Sequence, residues 1–469
     1  MKFKRVRNIA LNPRKFLKKM LKFLAKISME ATKHPYLNTK NSHDINYDFD
    51  KLFPRYTEYD PIVPIWNVTP DLGRCFHRFH LSSPFSPSGR YLGLTRMHRE
   101  DRPPEPGEAA EIILVDLHTG EQKVIDKTNG WDTQLGSQVQ WGMNDTELYY
   151  NNVDIDNWLP YGVKLNPITG NKEKLDWTVY DVSPDGKWAV STDLRKMGNT
   201  QAGYGIRVPK KFITNNKGAT KNDGVYITDT TSGKTKMIAS YKEIVEKSQP
   251  WIDVSSYGDG DFYGFHTKWN SHSNRIMLVL RYVPSGSNKR KPMVVTMNKE
   301  GKEIYTAIPL TEWAEKGGNH PNWHPDGKHL IMNLNIENKG RRFVQVRYDG
   351  KNLKKIVDVP ANHGHIVMHP TCKFMLNDAY PHGDKAYFDS TAPLWLIDLD
   401  KQWKYTLARF QSVTRFFNNN PKSAKEMRVD PHPVWDSKTH THVAFNAVSN
   451  GTRHVYVADL SKFMISLQK

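Results

Sequence analysis

A short motif that recurs along the chain constrains the fold more than any other feature of the sequence. From about residue 80 onward, a strand-like segment that ends in an aromatic or apolar residue is followed by a tight turn and then by alternating segments. The copies begin at Ser83-Pro-Phe-Ser-Pro-Ser-Gly, Val139-Gln-Trp-Gly-Met-Asn-Asp, Tyr180-Asp-Val-Ser-Pro-Asp-Gly, Thr267-Lys-Trp-Asn-Ser, Pro321-Asn-Trp-His-Pro-Asp-Gly, Ile366-Val-Met-His-Pro-Thr and Pro433-Val-Trp-Asp-Ser. A repeat of this kind is typical of a four-stranded propeller blade, so the copies predict seven blades.

A second signature lies between these motifs. Segments such as Ile113-Leu-Val-Asp-Leu-His-Thr-Gly and Val163-Lys-Leu-Asn-Pro-Ile-Thr-Gly alternate between apolar and polar residues and close in a glycine turn. Alternation of period two before a tight turn is the pattern of a half-buried antiparallel hairpin. After residue 30, helical periodicity is confined to short pieces near 241–247 and 311–316. The sequence therefore predicts an all-β chain, a seven-bladed β-propeller with a short basic N-terminal helix.

The repeat also divides the chain. We predict a basic amphipathic segment over residues 1–30, a segment over 31–69 that packs on the propeller and supplies a closing strand, and the propeller itself over 70–469. Residues 196–222 are rich in Gly, Lys and Asn and do not fit the repeat, so we interpret them as an insertion in the third blade. Insertions of this kind lie on a propeller face and often border a site.

The first thirty residues carry much of the net charge of +18, with ten Lys or Arg against one acid. Apolar residues recur at helical spacing after Pro13, but lysines interrupt every apolar run, so we predict no signal peptide. A basic amphipathic helix of this type can contact an anionic membrane surface, and a solvated tail is the alternative. Two cysteines, Cys75 and Cys372, are too few to staple the chain, and the compartment stays undecided.

Histidines recur at one register position of the repeat. Three residues before the aromatic of each motif, or its equivalent, the later copies carry His266, His320, His365 and His432, whereas the earlier ones carry Ser82, Gln138 and Val179. Because equivalent positions of inner strands meet near a propeller axis, we predict that the four imidazoles converge on a divalent metal, zinc or manganese rather than calcium. Asp430 could add an oxygen ligand or orient His432. Alternatively, the histidines are hydrogen-bonded strand-start residues.

Three segments resemble known propeller enzymes. They are His77-Arg-Phe-His-Leu-Ser-Ser-Pro-Phe-Ser-Pro-Ser-Gly-Arg-Tyr, Gly130-Trp-Asp-Thr-Gln-Leu-Gly-Ser-Gln-Val-Gln-Trp-Gly and Val429-Asp-Pro-His-Pro-Val-Trp-Asp. They look like the ulvan lyase and oligogalacturonate lyase group of seven-bladed propellers, and the similarity runs across most of residues 70–460. The resemblance implies a polysaccharide lyase that acts on a uronate-containing polymer by β-elimination. Such a reaction needs a cation or strong donors at the carboxylate, a base for the C5 proton and an acid for the leaving oxygen.

The ulvan lyases of this group use an early pair of histidines with a tyrosine and an arginine. The resemblance places His77 and His98 in the pair, facing a common groove, and Tyr180 with Arg195 as their partners; Tyr204 and Arg207 of the insertion are the alternative. In the oligogalacturonate lyases a metal is held by late-blade histidines and a glutamine. His320, His365 and His432 resemble that set, but Met427 stands where the glutamine is expected.

Substrate binding is predicted from charge. Arginines cluster around His77 and His98 in the sequence, and a basic channel mouth would attract a polyanion and bind its carboxylates or sulfates. We assign Arg78, Arg96, Tyr204, Arg207 and Gln138 to substrate binding. The expected partner is an anionic polysaccharide or oligosaccharide, and we expect a monomer.

Other functions fit the sequence less well. A non-catalytic propeller would not need histidines in register, and a glycoside hydrolase on the same scaffold stays open. A serine hydrolase is disfavoured because the chain has no Gly-x-Ser-x-Gly motif. Nucleic-acid binding is not expected, because the basic and aromatic patterns of RNA-binding modules are missing.

Overall fold

Short antiparallel strands joined by tight turns make up almost all of the fold. The structure, a computed structural model, describes residues 47–287, 289–336, 340–380, 387, 389, 391–414 and 426–468. The predicted basic helix within residues 1–30, with its proposed membrane contact, lies outside the described residues, as do residues 31–46 of the predicted second segment. The domain boundaries drawn from the sequence therefore stay a prediction.

Five sheets contain four antiparallel strands each, in chain order. They comprise β2 (Cys75–Phe76), β3 (Tyr91–Arg96), β4 (Ala110–Asp116) and β5 (Gln122–Thr128); β6 (Gln140–Trp141), β7 (Leu148–Asp154), β8 (Leu159–Leu165) and β9 (Lys172–Leu175); β10 (Asp181–Val182), β11 (Trp188–Ser191), β12 (Gly224–Asp229) and β13 (Thr235–Ser240); β14 (Gly260–Trp269), β15 (Arg275–Pro284), β16 (Lys291–Asn298) and β17 (Tyr305–Ile308); and β18 (Gly318–Trp323), β19 (His329–Leu334), β20 (Arg342–Arg347) and β21 (Lys354–Pro360).

The sixth sheet has eight strands. One group of four is β22 (Ile366–Met368), β23 (Phe374–Asp378), β24 (Thr391–Asp398) and β25 (Trp403–Gln411), and the other is β26 (Val434–Trp435), β27 (His442–Ser449), β28 (Thr452–Asp459) and β1 (Ile65–Asn67). The two groups join where Gln411 of β25 pairs with Val448 of β27. Because β1 pairs with β28, the chain closes the last group of strands with a segment from its N-terminal part.

The turn between the first two strands of a sheet explains why the repeated motif folds as it does. In the Ser-Pro-Asp-Gly turn of the third sheet, the Gly186 N–H donates to the Ser183 carbonyl at 2.7 Å, and Gly186 has a φ of +68°. A Cβ at Gly186 would lie 2.4 Å from Cγ of Met143 in the preceding sheet. Glycine therefore permits both the left-handed backbone and the close contact between neighbouring sheets.

Burial distinguishes the strands within each sheet. The first three strands are mostly buried, whereas the fourth strands β5, β9 and β21 are largely exposed.

Side chains at the first strands of different sheets contact one another. The ring of Phe79, which follows β2, lies 4.9 Å from His266 on β14 and 4.6 Å from His432, which precedes β26. The first strands therefore surround a common centre, as the prediction of a propeller required. The sheets confirm a mostly β fold built of four-stranded antiparallel units, and the count of seven blades stays a prediction.

Helices are short and lie in the connections. The α-helices are α1 (Phe49–Leu52), α2 (Tyr241–Lys247), α3 (Leu310–Trp313) and α4 (Ser461–Leu467), and the 3₁₀ helices are Leu194–Asn199, Lys210–Phe212 and Ser255–Tyr257. Helix α2 begins at a capping box in which Ser240 and Glu243 satisfy each other's backbone N–H groups. Over the residues that the structure describes, none of these helices has the length and apolar character needed to span a bilayer.

Candidate functional site

Six histidines meet where the first strands converge. Ring centroids are 4.0 Å apart for His320 and His365, 4.3 Å for His365 and His432, and 4.8 Å for His80 and His365. His77 lies 6.4 Å from His432, and the ring of Phe79 separates His266 from His432. The shared register position therefore brings the late histidines together, and the segment after β2 adds His77 and His80.

His365 is oriented by a buried carboxylate. Its Nδ1 lies 2.9 Å from Oδ2 of Asp378, and its backbone N–H donates to the same side chain. Both residues are fully buried, and Nε2 of His365 has no hydrogen-bond partner among the described residues. A carboxylate that accepts the Nδ1 proton leaves the Nε2 lone pair available, which is the usual arrangement of a metal-binding histidine.

The ligand atoms that lie closest together belong to His365, Asp430 and His432. One donor atom from each lies within 4.8 Å of the others, and all three side chains are buried. Both ring nitrogens of His432 have no hydrogen-bond partner among the described residues. Imidazole and carboxylate donors suit manganese or zinc, and buried nitrogens without partners are costly unless a ligand uses them, so these residues fit a divalent metal. His266 and His320, which the sequence analysis placed in the same ligand set, lie outside this group.

His320 is committed to two hydrogen bonds. Its Nδ1 donates to the Gly364 carbonyl at 3.0 Å, and its Nε2 accepts from the Tyr380 hydroxyl at 2.9 Å. The backbone of His320 is left-handed, with a φ of +56°, and the equivalent Gln138 and His432 have φ of +62° and +49°. Non-glycine residues rarely adopt this conformation, and strained residues concentrate at functional sites.

Burial keeps the histidines neutral. It lowers the pKa of His77 and of His365 to about 3, and it lowers the pKa of His80, His266, His320 and His432 well below the ordinary value, with neighbouring imidazoles or guanidinium groups adding to the effect. Burial also raises the pKa of Asp378 to about 7. Neutral imidazoles can bind a metal or accept a proton at ordinary pH.

A tyrosine hydroxyl forms a hydrogen bond with the ring of His266. The Tyr180 hydroxyl hydrogen-bonds Nδ1 of His266, and the Arg78 guanidinium lies 5.1 Å from the centre of the Tyr180 ring. Arg78 is also near Asp181, at 4.0 Å, so its charge is compensated inside the protein. With Nδ1 engaged, Nε2 is the nitrogen of His266 that remains for chemistry.

A pocket of about 530 Å³ opens beside these residues, and we call it the central pocket. Phe79, His266, His320 and Tyr380 line it, and the insertion contributes Gln201 and Tyr204. Basic side chains form much of the remaining wall: Arg281, Lys289, Arg290 and Arg341. The lining residues include no Asp or Glu, so the described wall of the pocket is suited to an anion.

Arg281 is the basic residue that is fixed most firmly. Its two terminal nitrogens donate to Thr200 Oγ1 and Gln201 Oε1, both at 2.9 Å, and its guanidinium lies 3.1 Å from the centre of the Phe265 ring. Burial lowers the pKa of Arg281 well below its ordinary value. Neutral groups fix this guanidinium and no carboxylate is among these contacts, so an incoming anion would be its charge partner and would favour the charged form.

The structure does not bring His77 and His98 together. His77 is 1% exposed, whereas His98 is exposed in the loop after β3. Cys75 pairs with Arg96 and Phe76 with Thr95 in the antiparallel ladder, so His77 and His98 follow their strands at opposite ends of this short paired segment. The ladder gives no support to a common groove for the pair, and their joint catalytic role stays a prediction.

The other predicted site residues are divided between the central pocket and ion pairs elsewhere. Tyr204 lines the pocket and accepts a 3.3 Å hydrogen bond from Arg428. Arg96 pairs with Glu111, Arg195 with Asp193, and Arg207 with Asp132 and Glu426. Tyr180 and Arg78 lie next to His266. Gln138 is buried, and its side-chain amide has no hydrogen-bond partner among the described residues. Their catalytic and substrate-binding roles stay predictions.

Sequence reasoning missed several residues of the site. His80 was assigned no role from the sequence, yet it lies among the late histidines and neither ring nitrogen has a described hydrogen-bond partner. Its position three residues after His77, on the same segment, was the available signal. No sequence pattern pointed to Asp378, Tyr380 or Arg281. Asp378 and Arg281 lie on the second strand of a sheet and Tyr380 follows one, and their neighbours come from other parts of the chain.

No protein-family model matches the sequence, and no curated protein matches it. An oligogalacturonate lyase in complex with manganese has a TM-score of 0.60 to this chain at 14% identity, over 89% of this chain and 97% of that one. The oligogalacturonate lyase of Vibrio parahaemolyticus gives 0.59 at 14% identity, over 88% and 97%. The structural resemblance to oligogalacturonate lyase propellers, predicted from the motifs, is confirmed, and at this identity it shows the fold.

Proposed function

We propose that the protein is a uronate lyase that cleaves an acidic oligosaccharide or polysaccharide by β-elimination on a seven-bladed propeller, with the eight-stranded sheet forming two blades. The observation that carries this proposal is the central pocket, where a neutral imidazole faces a wall of guanidinium groups. The fold shared with oligogalacturonate lyases agrees with it.

His266 is the proposed base. Its neutral ring lines the pocket, and Tyr180 orients it by hydrogen-bonding Nδ1. In the proposed tautomer Nδ1–H donates to the Tyr180 hydroxyl oxygen, so the lone pair lies on Nε2. Nε2 takes the C5 proton of the uronate, the C–H electrons form the C4–C5 double bond, and the bond between C4 and the leaving oxygen breaks. A base must be neutral to accept this proton, and the low pKa of buried His266 keeps it so.

Arg281 is the proposed group that neutralises the uronate carboxylate. Removing the C5 proton places negative charge on the carboxylate, and a guanidinium aimed at that group stabilises the charge as it develops. Arg281 is preorganised by Thr200 and Gln201, so it needs no rearrangement during the reaction. Arg290 and Arg341 on the same wall bind neighbouring acidic groups.

Tyr204 is the proposed acid. Its hydroxyl accepts a hydrogen bond from Arg428, which leaves its own proton free to move to the leaving oxygen. The Tyr380 hydroxyl, in contrast, donates to His320. Among pocket residues, Tyr204 is therefore the better donor, in agreement with one of the two tyrosines that the sequence suggested.

His365, Asp430 and His432 would hold a manganese or zinc ion, with His80 as a neighbouring nitrogen donor. Such an ion would supply positive charge beside the uronate carboxylate. Asp378 orients His365 for this role, and Arg428 fixes Asp430 through contacts of 2.9 and 3.0 Å. The protein's own contribution is to keep the imidazoles neutral and the donors dry and correctly oriented.

Hydrolysis is the alternative that the pocket disfavours. A glycoside hydrolase normally uses two carboxyl groups on either side of the scissile bond, and the described lining of the central pocket includes none. The products separate the two reactions, because a lyase forms an unsaturated uronate that absorbs in the ultraviolet. We expect the purified protein to form this chromophore from at least one of pectate, ulvan or glucuronan. New reducing ends without the chromophore would contradict the proposal.

A further inference from the structure

We infer that a second pocket on the insertion binds one unit of an acidic saccharide away from the histidines. This rim pocket, about 510 Å³ in volume, is lined by the aromatic side chains of Trp177 and Tyr226. Its charged lining residues are Arg195, Lys196, Lys217, Asp193 and Asp223. It shares no lining residue with the central pocket. The inference rests on the proposed function only for the chemical class of the polymer.

An aromatic pair forms the apolar part of the rim pocket. Trp177, in the connection from β9 to β10, lies with its ring centroid 4.8 Å from that of Tyr226 on β12, at an interplanar angle of 37°. Both side chains are partly exposed, so the pair presents apolar surface to the pocket. The C–H faces of a pyranose ring pack on such surfaces, and a few polar groups around them fix the orientation.

The polar floor of the rim pocket is rigid. Arg195 is fixed by Asp193 through contacts of 3.0 and 2.8 Å, which explains why this arginine does not reach the central pocket. Lys196 donates to Asn216 and to the buried Asp223, both at 2.8 Å. These cations are thus compensated within the protein, and the floor offers a fixed set of donors and acceptors for sugar hydroxyls.

The lip of the rim pocket carries an uncompensated charge. Lys217 is exposed, and among the described residues it forms no ion pair with a carboxylate. The exposed amide of Asn222 beside it offers both a donor and an acceptor. A lysine at the edge of an aromatic surface favours a sugar that carries a carboxylate or sulfate over a neutral one.

The insertion links the two pockets. Gln201 and Tyr204 border the central pocket, whereas residues 214–223 border the rim pocket. The 3₁₀ helix Leu194–Asn199 runs between them, and at a rise of about 2 Å per residue its six residues span roughly 12 Å. A saccharide bound at the rim therefore remains close to the proposed site of cleavage, which would favour longer substrates over short ones.

The test uses the full chain with His266→Ala, so that the probes are not consumed. Tetragalacturonate and a glucuronate-containing ulvan oligosaccharide are titrated by calorimetry, and two binding events per chain are expected for at least one probe. Adding Trp177→Ala should weaken one event by about tenfold or more and leave the other unchanged. Trp403→Ala, which removes an equally large tryptophan that is 61% exposed on β25, is the matched control and should leave both events intact.

Lys217→Ala provides a second variant, and it is expected to keep the fold because its side chain is exposed. It should weaken the same event as Trp177→Ala. A single event, or two events that neither variant changes, would overturn the inference while leaving the lyase proposal intact. Two events that respond to both variants, in a protein that forms no unsaturated product, would support the rim pocket and contradict the proposed reaction instead.

Discussion

The first strands that surround the centre of the propeller fall into an early arc and a late arc. The two arcs carry different residue types at the same register position. In the late arc, formed by the first strands from β14 onward, that position carries His266, His320, His365 and His432. In the early arc it carries Ser82, Gln138 and Val179, none of which can titrate near neutral pH. The comparison shows that the repeat determines which residues meet, whereas the residue types at those positions determine where chemistry is available.

The insertion and the second sheet are tied to the segment that precedes β26. Arg207 of the insertion pairs with Asp132 and Glu426, and Gln134 donates to the Glu426 and Arg428 carbonyls at 2.6 and 3.1 Å. The Arg207 ion pairs thus connect the insertion both to the segment before β6 and to the segment before β26. The central pocket is lined mainly by residues of the late arc, together with Phe79 of the early arc and with Gln201 and Tyr204 of the insertion. Predictions that separate the arcs test this division.

The largest effect is expected from His266→Ala, which removes the proposed base of the late arc. Loss of a proton-transfer group typically lowers the rate about 10²- to 10⁴-fold. Tyr180→Phe, which removes only the hydroxyl at Nδ1, should have a smaller effect. Initial rates of formation of the unsaturated product, with folding checked by circular dichroism, provide the measurement. A folded His266→Ala variant with the parent rate would place the base on another residue.

The buried pair of Arg428 and Asp430 should matter more for stability than the ion pair that holds the insertion. Their side chains are 8% and 0% exposed, and removal of one partner leaves a buried charge uncompensated. Arg428→Met should therefore lower the free energy of unfolding by about 3–5 kcal/mol. Arg207→Met, whose side chain is 27% exposed, should cost less. Urea unfolding of both variants measures the difference, and equal losses would contradict the proposed contrast between the arcs.

Metal affinity should depend on a carboxylate that makes no contact with the metal itself. Asp378→Asn removes the charge that accepts the Nδ1 proton of His365, and loss of such a partner typically lowers metal affinity about 10- to 100-fold. Asp181→Asn is the matched control, because Asp181 is a buried carboxylate of the early arc that accepts from Ser82 and from the Trp269 backbone. Titration with Mn²⁺ and Zn²⁺ measures both. Equal affinities for Asp378→Asn and the parent would exclude the proposed orienting role.

Acid should destabilise the apo protein through its buried histidines. Burial lowers the pKa of His77 to about 3, against about 6.5 in an unfolded chain, so between these values only the unfolded state takes up the proton. Stability is therefore complete above pH 6.5 and declines as the pH falls towards 3, by about 1.4 kcal/mol per pH unit for each such group. His77→Gln should make this slope shallower by about one proton. Urea unfolding at several pH values checks this, and an unchanged slope would show that His77 is protonated in the folded state.

The strands and the convergence of the late histidines could be predicted because both follow from the repeat. Alternation determines the hairpins, and equal register determines proximity, so His320, His365 and His432 were found without any knowledge of contacts. Asp378 and Arg281 could not be found in this way. Their importance arises from side chains of other strands, such as the Gln201 amide that accepts from Arg281, and no local pattern encodes such a contact.

The metal ligands illustrate the same limit. Four equivalent histidines suggested one ligand set, yet the Tyr180 hydroxyl occupies Nδ1 of His266, and two hydrogen bonds engage His320. Asp430, which the sequence suggested as an oxygen ligand or as an orienting residue, lies in the compact donor group. Register places a residue near the centre, but its hydrogen-bond partners decide whether its nitrogens are available.

The smallest effect is expected from His98→Ala, although the family resemblance assigned His98 a catalytic role. The side chain is exposed and lies outside the described lining of the central pocket, and the ladder of β2 and β3 directs it away from His77. Exposed side chains without such contacts usually contribute less than about 0.5 kcal/mol to stability. We therefore expect His98→Ala to keep both its stability and its rate within about twofold of the parent. The assay is the same rate of unsaturated product formation, with His266→Ala measured in parallel. A loss of 10²-fold or more in folded His98→Ala would show that the early arc takes part in the chemistry and would move the proposed site towards the first sheet.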